Sequence, residues 1–309
     1  MTYFFQEKIY DWGSWGQVYQ SKEAFIPLIQ AIFDAEHIKP DGPVCHLKPG
    51  TNAVFKAGSY VIKIFAPKES GLDSDLDFDT ERSAMQRAID AGVRTPRILA
   101  ASAFSDKYEF KYILMDYVEG ESAGDAMTAL SREQKRIFAQ KLRQILGKLN
   151  QAPDAPVSYA AAMEKAFRNQ RWNEFSQGFK GQMADYLKGY SPGPMVHVHG
   201  DLTGDNMIMD SRFDLTVIDF ADSSVSPREY EYPPIVFELF RMDRDCVNDF
   251  MDALHILASE FVERLFAGIL LHDFGAGFVK AIYEEHAGNN IEQLQDLYEI
   301  RRLLERHLL

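Results

Sequence analysis

The spacing of apolar residues changes once along this chain, and that change constrains the fold more than any other feature. Over residues 43–65 they alternate as in strands, with breaks at Gly50 and Gly58, and β-rich runs return at 97–104 and 110–118. The first of these stretches predicts strand, turn, strand, turn, strand. Helical spacing covers residues 24–35 and 75–91. The second of these is closed by Gly92, with acidic residues in its first turn and Arg87 nearer its end, as a helix dipole prefers. Beyond Gly120 the period is helical, except for a β-like island at 196–220. The expected class is α+β, a small β-rich lobe over residues 1–118 followed by a larger helical lobe over 119–309. No repeat, low-complexity tract or Pro/Gly/Ser tether interrupts the chain, so the boundary near Val118 to Gly120 is expected to act as a hinge.

Composition limits the partners. With Lys+Arg 33 against Asp+Glu 46, the formal charge is -13, so the chain as a whole repels nucleic acid and anionic membrane. Any bound nucleotide must be held by a local positive feature. The acidity favours cationic ligands, or it serves solubility alone. Cys45 and Cys246 have no paired spacing that fits zinc or redox chemistry, and both are expected to be small core residues. Residues 1–15 lack the order of a signal peptide, and the apolar run at 265–271 is too short to span a bilayer, so a cytoplasmic location is expected.

The island carries His199-Gly200-Asp201-Leu202-Thr203-Gly204-Asp205-Asn206, then Val217-Ile218-Asp219-Phe220. Phosphoryl transfer needs side chains spaced in this way. Asp201 can accept a hydroxyl proton, while Asn206 and Asp219 can hold Mg2+ against the phosphates of a nucleotide. His199 is expected to orient the loop by hydrogen bonding, because a carboxylate suffices as base. His197 alternates with His199, but no third ligand stands at a matching spacing for a metal site.

The first lobe supplies further pieces. Lys63 places a charge in the apolar run Tyr60-Val61-Ile62-Lys63-Ile64-Phe65, which is costly unless paired. Glu81, on the following helix, is the expected partner, holding the ammonium toward the α- and β-phosphates. A lysine at a sheet edge with its head in water is the alternative. The turn Pro49-Gly50-Thr51-Asn52 offers backbone amides to phosphate; with one glycine it is neither a three-glycine kinase loop nor a P-loop, and an ordinary hairpin turn is the alternative. In Ile113-Leu114-Met115-Asp116-Tyr117-Val118-Glu119-Gly120, the backbone of Asp116 and Val118 could bond an adenine edge with Met115 packed behind the ring. A simple edge strand and turn is the competing reading there. Asp73, Asp75, Asp77 and Asp79 imitate a calcium loop, but Phe78 replaces its turn glycine and Ala84 its closing acid.

On these residues the chain resembles the aminoglycoside phosphotransferase and choline kinase-like family, whose fold is related to that of the protein kinases. The resemblance implies a bilobal kinase-like fold and Mg2+-dependent transfer of the γ-phosphoryl group of ATP or GTP to a hydroxyl of a small molecule, an antibiotic such as an aminoglycoside among the candidates. It makes Asp201 the base, Asn206 and Asp219 the metal ligands, Lys63 the phosphate clamp and Glu81 its orienting partner. Thr203 stands where protein kinases usually have lysine, Asp219-Phe220-Ala221 lacks the usual glycine, and no Ala-Pro-Glu segment follows. All three departures favour a small acceptor. A protein kinase-like enzyme and a catalytically silent nucleotide-binding scaffold are the alternatives. Glu231, Glu238, Asp243, Asp245, Asp249 and Asp252 either face a cationic acceptor or form solvated helix faces. Trp172, Phe175, Tyr230 and Tyr232 either wall a cation or belong to the core.

Overall fold

A computed structural model of the chain describes residues 3–48, 50–288 and 290–308. Two compact units emerge: residues 1–89, 94–119 and 216–222 form the first, and 90–93, 120–215 and 223–309 the second. The chain thus returns briefly to the first unit with the segment that carries Asp219.

The first unit begins with α1 (Trp12–Val18) and α2 (Lys22–Ala35), then β1 (Val44–His46), β2 (Ala53–Ala57), β3 (Tyr60–Ile64), α3 (Ser74–Asp90), β4 (Ile98–Ser105) and β5 (Glu109–Asp116). The strands form one antiparallel sheet in the order β1-β2-β3-β5-β4. β3 sits at its centre, with Lys63 opposite Val54 on one side and Ile113 on the other. A core of Phe5, Trp15, Phe25, Phe33, Phe55 and Phe110 packs around it. Each such ring taken out of water contributes about 1.5–3 kcal/mol. The Ser21 hydroxyl accepts from the Ala24 amide to start α2, and Phe25, Leu28, Ile29, Ile32 and Phe33 make its buried stripe at helical spacing.

The second unit contains β6 (Glu121–Ser122), α4 (Ala123–Ala126), α5 (Arg132–Leu149), α6 (Tyr159–Arg168), α7 (Gln177–Gly189), β7 (Met195–Val198) and β8 (Met207–Met209). After β9 (Leu215–Val217) come β10 (Ser224–Pro227), α8 (Tyr232–Pro234), α9 (Arg244–Leu254), α10 (Ala258–Leu271), α11 (Gly275–Ala287) and α12 (Leu297–Leu308). β7 pairs with β10, and β6 with β8, all antiparallel. α10 is buried all round from Leu265 to Leu271. Its close approach depends on Gly268, where a Cβ would lie 2.2 Å from the Glu229 carbonyl oxygen.

The fold class is the one the sequence predicts, but several local expectations need correction. β6 and β10 lie outside the 196–220 island, in stretches read as helical. Both are short and paired to distant partners, so no alternation could reveal them. α1 was not expected either. Cys246 is buried, but Cys45 is exposed on the three-residue edge strand β1. Pro49 lies outside the described residues. Among the described residues no helix is long and apolar enough to cross a membrane.

Candidate active site

In the first unit, β3 delivers Lys63 into a buried position where its Nζ stands 2.5 Å from Glu81 Oε2 on α3 and 2.8 Å from Asp219 Oδ1. Burial opposes the charge on Lys63, yet Asp219 and Glu81 outweigh it and hold the ammonium above its ordinary pKa. Burial pushes the Glu81 carboxyl up to about 7, with Lys63 pulling the other way. The lysine is therefore a fixed cation, whose head is not in bulk water as the sheet-edge alternative required. Asp219 adopts φ 61, a left-handed conformation that asparagine and aspartate tolerate best among non-glycine residues.

The turn before β2 is tied down. Trp15 Nε1 donates to the Thr51 carbonyl at 3.0 Å, and buried Asn52 accepts from the Ala66 amide through Oδ1 at 3.3 Å. Gly50 is exposed, and a Cβ there would meet nothing within 4 Å. Met115 is buried on β5. The Asp116 amide donates to the Arg97 carbonyl at 3.1 Å, and its carboxylate pairs with the Arg97 guanidinium at 3.0 Å. The Asp116 amide is therefore not free to bond the edge of a purine. Val118 follows the end of β5 and is half-buried.

In the second unit, residues 199–206 form the loop between β7 and β8. The Asp201 amide donates to His199 Nδ1 at 3.2 Å. Asn206 Nδ2 donates to the Asp201 carbonyl at 2.9 Å and to its Oδ2 at 2.7 Å. Both amide hydrogens are spent on Asp201, so Oδ1 is the atom Asn206 can offer a cation. Gly204 and Gly124 meet backbone to backbone: a Cβ on Gly204 would lie 2.5 Å from the Gly124 Cα.

Residues the sequence did not single out for this task hold the loop from beneath. Glu231 is fully buried and accepts from the His199 amide at 2.6 Å, the Gly200 amide at 3.2 Å and Asn150 Nδ2 at 3.2 Å. Asn150 also donates to the His197 carbonyl at 3.0 Å. Burial pushes the Glu231 carboxyl up to about 7 against these three hydrogen bonds. Glu231 is thus removed from the acids that could face an acceptor. Asp243 pairs with Lys135, and Asp245 and Asp249 with Arg132, tying α9 to α5. Glu238 and Asp252 are exposed. Trp172, Phe175, Tyr230 and Tyr232 are all buried, which assigns them to the core.

Asn206 and Asp219 each offer a side-chain oxygen of the kind that a hard cation such as Mg2+ takes. Among the described residues no cluster of three or more His, Cys, Asp or Glu side chains could hold a metal.

The first unit thus holds a buried lysine clamped by two acids, and the second holds an aspartate pinned by an asparagine five residues on. Residues 51–278 match the phosphotransferase enzyme family, and the chain belongs to it. No curated protein sequence matches. Among solved structures, the GDP complex of aminoglycoside 2'-phosphotransferase-IIIa is 17% identical, with 93% of this chain and 98% of that chain covered and a TM-score of 0.62. A streptomycin-ATP ternary complex of APH(2")-IIa is 15% identical, with coverage of 79% and 87% and a TM-score of 0.55. A choline/ethanolamine kinase family protein from Mesorhizobium loti is 16% identical, with coverage of 87% and 92% and a TM-score of 0.51. At these identities the likeness is one of fold. The family makes the chain a phosphotransferase that acts on hydroxyl groups.

Proposed function

We propose that this chain transfers the γ-phosphoryl group of ATP or GTP to a hydroxyl of an amine-bearing small molecule, aminoglycosides being the first class to test. The observation that carries the reading is the pinning of Asp201 by both amide hydrogens of Asn206, which fixes a carboxylate beside an oxygen able to face a cation. Asp201 takes the proton of the acceptor hydroxyl as that oxygen bonds to the γ-phosphorus, and the bond from the γ-phosphorus to the bridging oxygen breaks to leave ADP or GDP. Lys63, kept charged by Glu81 and Asp219, steadies the α- and β-phosphates. Asn206 and Asp219 would hold Mg2+, which when bound neutralises charge on the phosphates. The backbone beside Met115, at Asp116 and Val118, and the turn Gly50-Thr51-Asn52 serve the purine and the phosphates.

The amine-bearing acceptor is supported by the formal charge of -13 and by the streptomycin held in the similar ternary complex. Several acids near α9 are already paired with bases of α5, so they add nothing to this support. The departures at Thr203 and Ala221 keep a small acceptor ahead of a protein one.

The experiment is nucleotide turnover with Mg2+ over a panel of aminoglycosides, other hydroxyl-bearing antibiotics, amino alcohols and sugars, with Asp201→Asn as control. Acceptor-dependent ADP or GDP release that the variant lacks is expected. Nucleotide binding without turnover on any acceptor would overturn the reading in favour of a protein substrate or a silent scaffold.

A further inference from the structure

His272 follows the last residue of α10 and is 1% exposed. Its Nδ1 accepts from the Phe274 amide at 3.0 Å, so the ring proton resides on Nε2, which lies 2.8 Å from the Gly200 carbonyl. The ring stacks on Tyr230 at 4.3 Å between centroids, and the Tyr230 hydroxyl in turn accepts from the Asp273 amide at 3.1 Å. Backbone bonds fix it further: the His272 amide donates to Gly268, and its carbonyl accepts from Gly275. Burial pushes the imidazole down to about 4, so it is neutral across the physiological range.

The Gly200 carbonyl belongs to the peptide unit that leads into Asp201. That unit is therefore held at both ends: its carbonyl by His272 and its N–H, the Asp201 amide, by His199 Nδ1. Gly200 itself stands at φ 85, where a glycine turns freely, so without outside bonds this peptide plane has little to fix it. The orientation of the plane sets the direction of the Asp201 Cα–Cβ bond. Given the assignment of Asp201 as base, we infer that His272 is a positioning residue of the phosphoryl transfer, aiming the Asp201 carboxylate through the Gly200 carbonyl from its seat at the end of α10.

A purely structural role, fixing the turn between α10 and α11 through the Phe274 amide, uses Nδ1 alone. The loop-positioning role uses Nε2. Two substitutions in the full chain separate them. His272→Gln places an amide nitrogen as many bonds from Cβ as Nε2 and keeps a donor for Gly200; His272→Asn places an oxygen where Nδ1 stands and keeps only the acceptor for Phe274. On an acceptor found in the panel above, His272→Asn is expected to lower kcat by about 10- to 100-fold, with nucleotide KM moving by less than about twofold. His272→Gln is expected to keep kcat within about threefold of the parent. Amide exchange over residues 199–206, read by mass spectrometry against the rest of the chain, should speed up with Asn and not with Gln.

Parental kcat and loop exchange in His272→Asn overturn the inference. So does a loss of kcat in both variants that follows lost thermal stability, with loop exchange unchanged relative to the rest of the chain. Should the parent turn over no acceptor, the kinase reading fails, and the exchange comparison still decides whether His272 holds the loop.

Discussion

Lys63 on β3 and Asp219, 156 positions later, meet at 2.8 Å, and Asp219 reaches that position with its backbone at φ 61. On the proposed function the contact gives Asp219 two tasks, since the residue proposed to face a metal also keeps Lys63, the proposed phosphate clamp, charged. Lys63→Met should lower kcat by about 100-fold or more, because a preorganised charge beside the phosphates is lost. The same change leaves Glu81 buried without its cation, at a cost of about 3–5 kcal/mol that protonation of Glu81 lessens. Turnover assays and urea denaturation read the two effects separately. A variant with parental turnover would remove Lys63 from the mechanism.

Trp15 links the start of the chain to the turn before β2 through its bond to the Thr51 carbonyl. Trp15→Phe keeps most of the buried ring and loses the donor. The expected result is a stability loss of about 1–3 kcal/mol from the unmatched carbonyl and a several-fold rise in nucleotide KM. Equal nucleotide affinity in the two proteins, measured by calorimetry, would separate this turn from phosphate binding.

Gly204 and Gly50 should respond in opposite ways to alanine. At Gly204 the new Cβ would meet the Gly124 backbone at 2.5 Å, and at Gly50 it would meet nothing. Gly204→Ala is expected to cost about 1–3 kcal/mol, and Gly50→Ala to stay within about 0.5 kcal/mol of the parent. Thermal or urea unfolding decides, and similar costs at both positions would contradict the close packing of the 199–206 loop on α4.

Glu231 predicts a pH dependence of stability. Burial raises its folded pKa to about 7 from an ordinary value of 4.5, so between these values the folded state keeps a proton that the unfolded state releases. Its contribution is complete below about 4.5 and is lost as pH rises through about 7, with a slope of at most about 1.4 kcal/mol per pH unit. Glu231→Gln removes this slope and leaves its amide facing the Gly200 or His199 N–H, costing about 1–3 kcal/mol. Urea denaturation of both proteins from pH 5 to 7.5 should show their stabilities converging as pH rises. A constant gap would mean that Glu231 does not titrate in this window.

Much of the geometry of the candidate site could be read from the sequence, because it is written in local order. A lysine inside an apolar strand needs a partner, and an acid on the next helix is near at hand; Lys63 and Glu81 are found 2.5 Å apart. The five-residue interval from Asp201 to Asn206 is one loop, which the two side chains close by a direct hydrogen bond. Strand and helix periods likewise gave the class of the fold, since burying one face of each element imposes its own spacing.

Tertiary structure decided what holds these groups in place. Glu231 had the appearance of a surface acid and instead accepts from the backbone of His199 and Gly200; Asn150 and His272 carry no sequence signal for their bonds to β7 and to that loop respectively. Each contact joins residues 31 to 72 positions apart, or 47 for Asn150, and each is directed at a backbone atom. A backbone amide or carbonyl has the same chemistry whatever its side chain, so no residue type at the loop can announce the partner. Only packing brings the distant carboxylate, amide and imidazole to those atoms, and the cost of leaving buried peptide groups unbonded then selects side chains that can satisfy them.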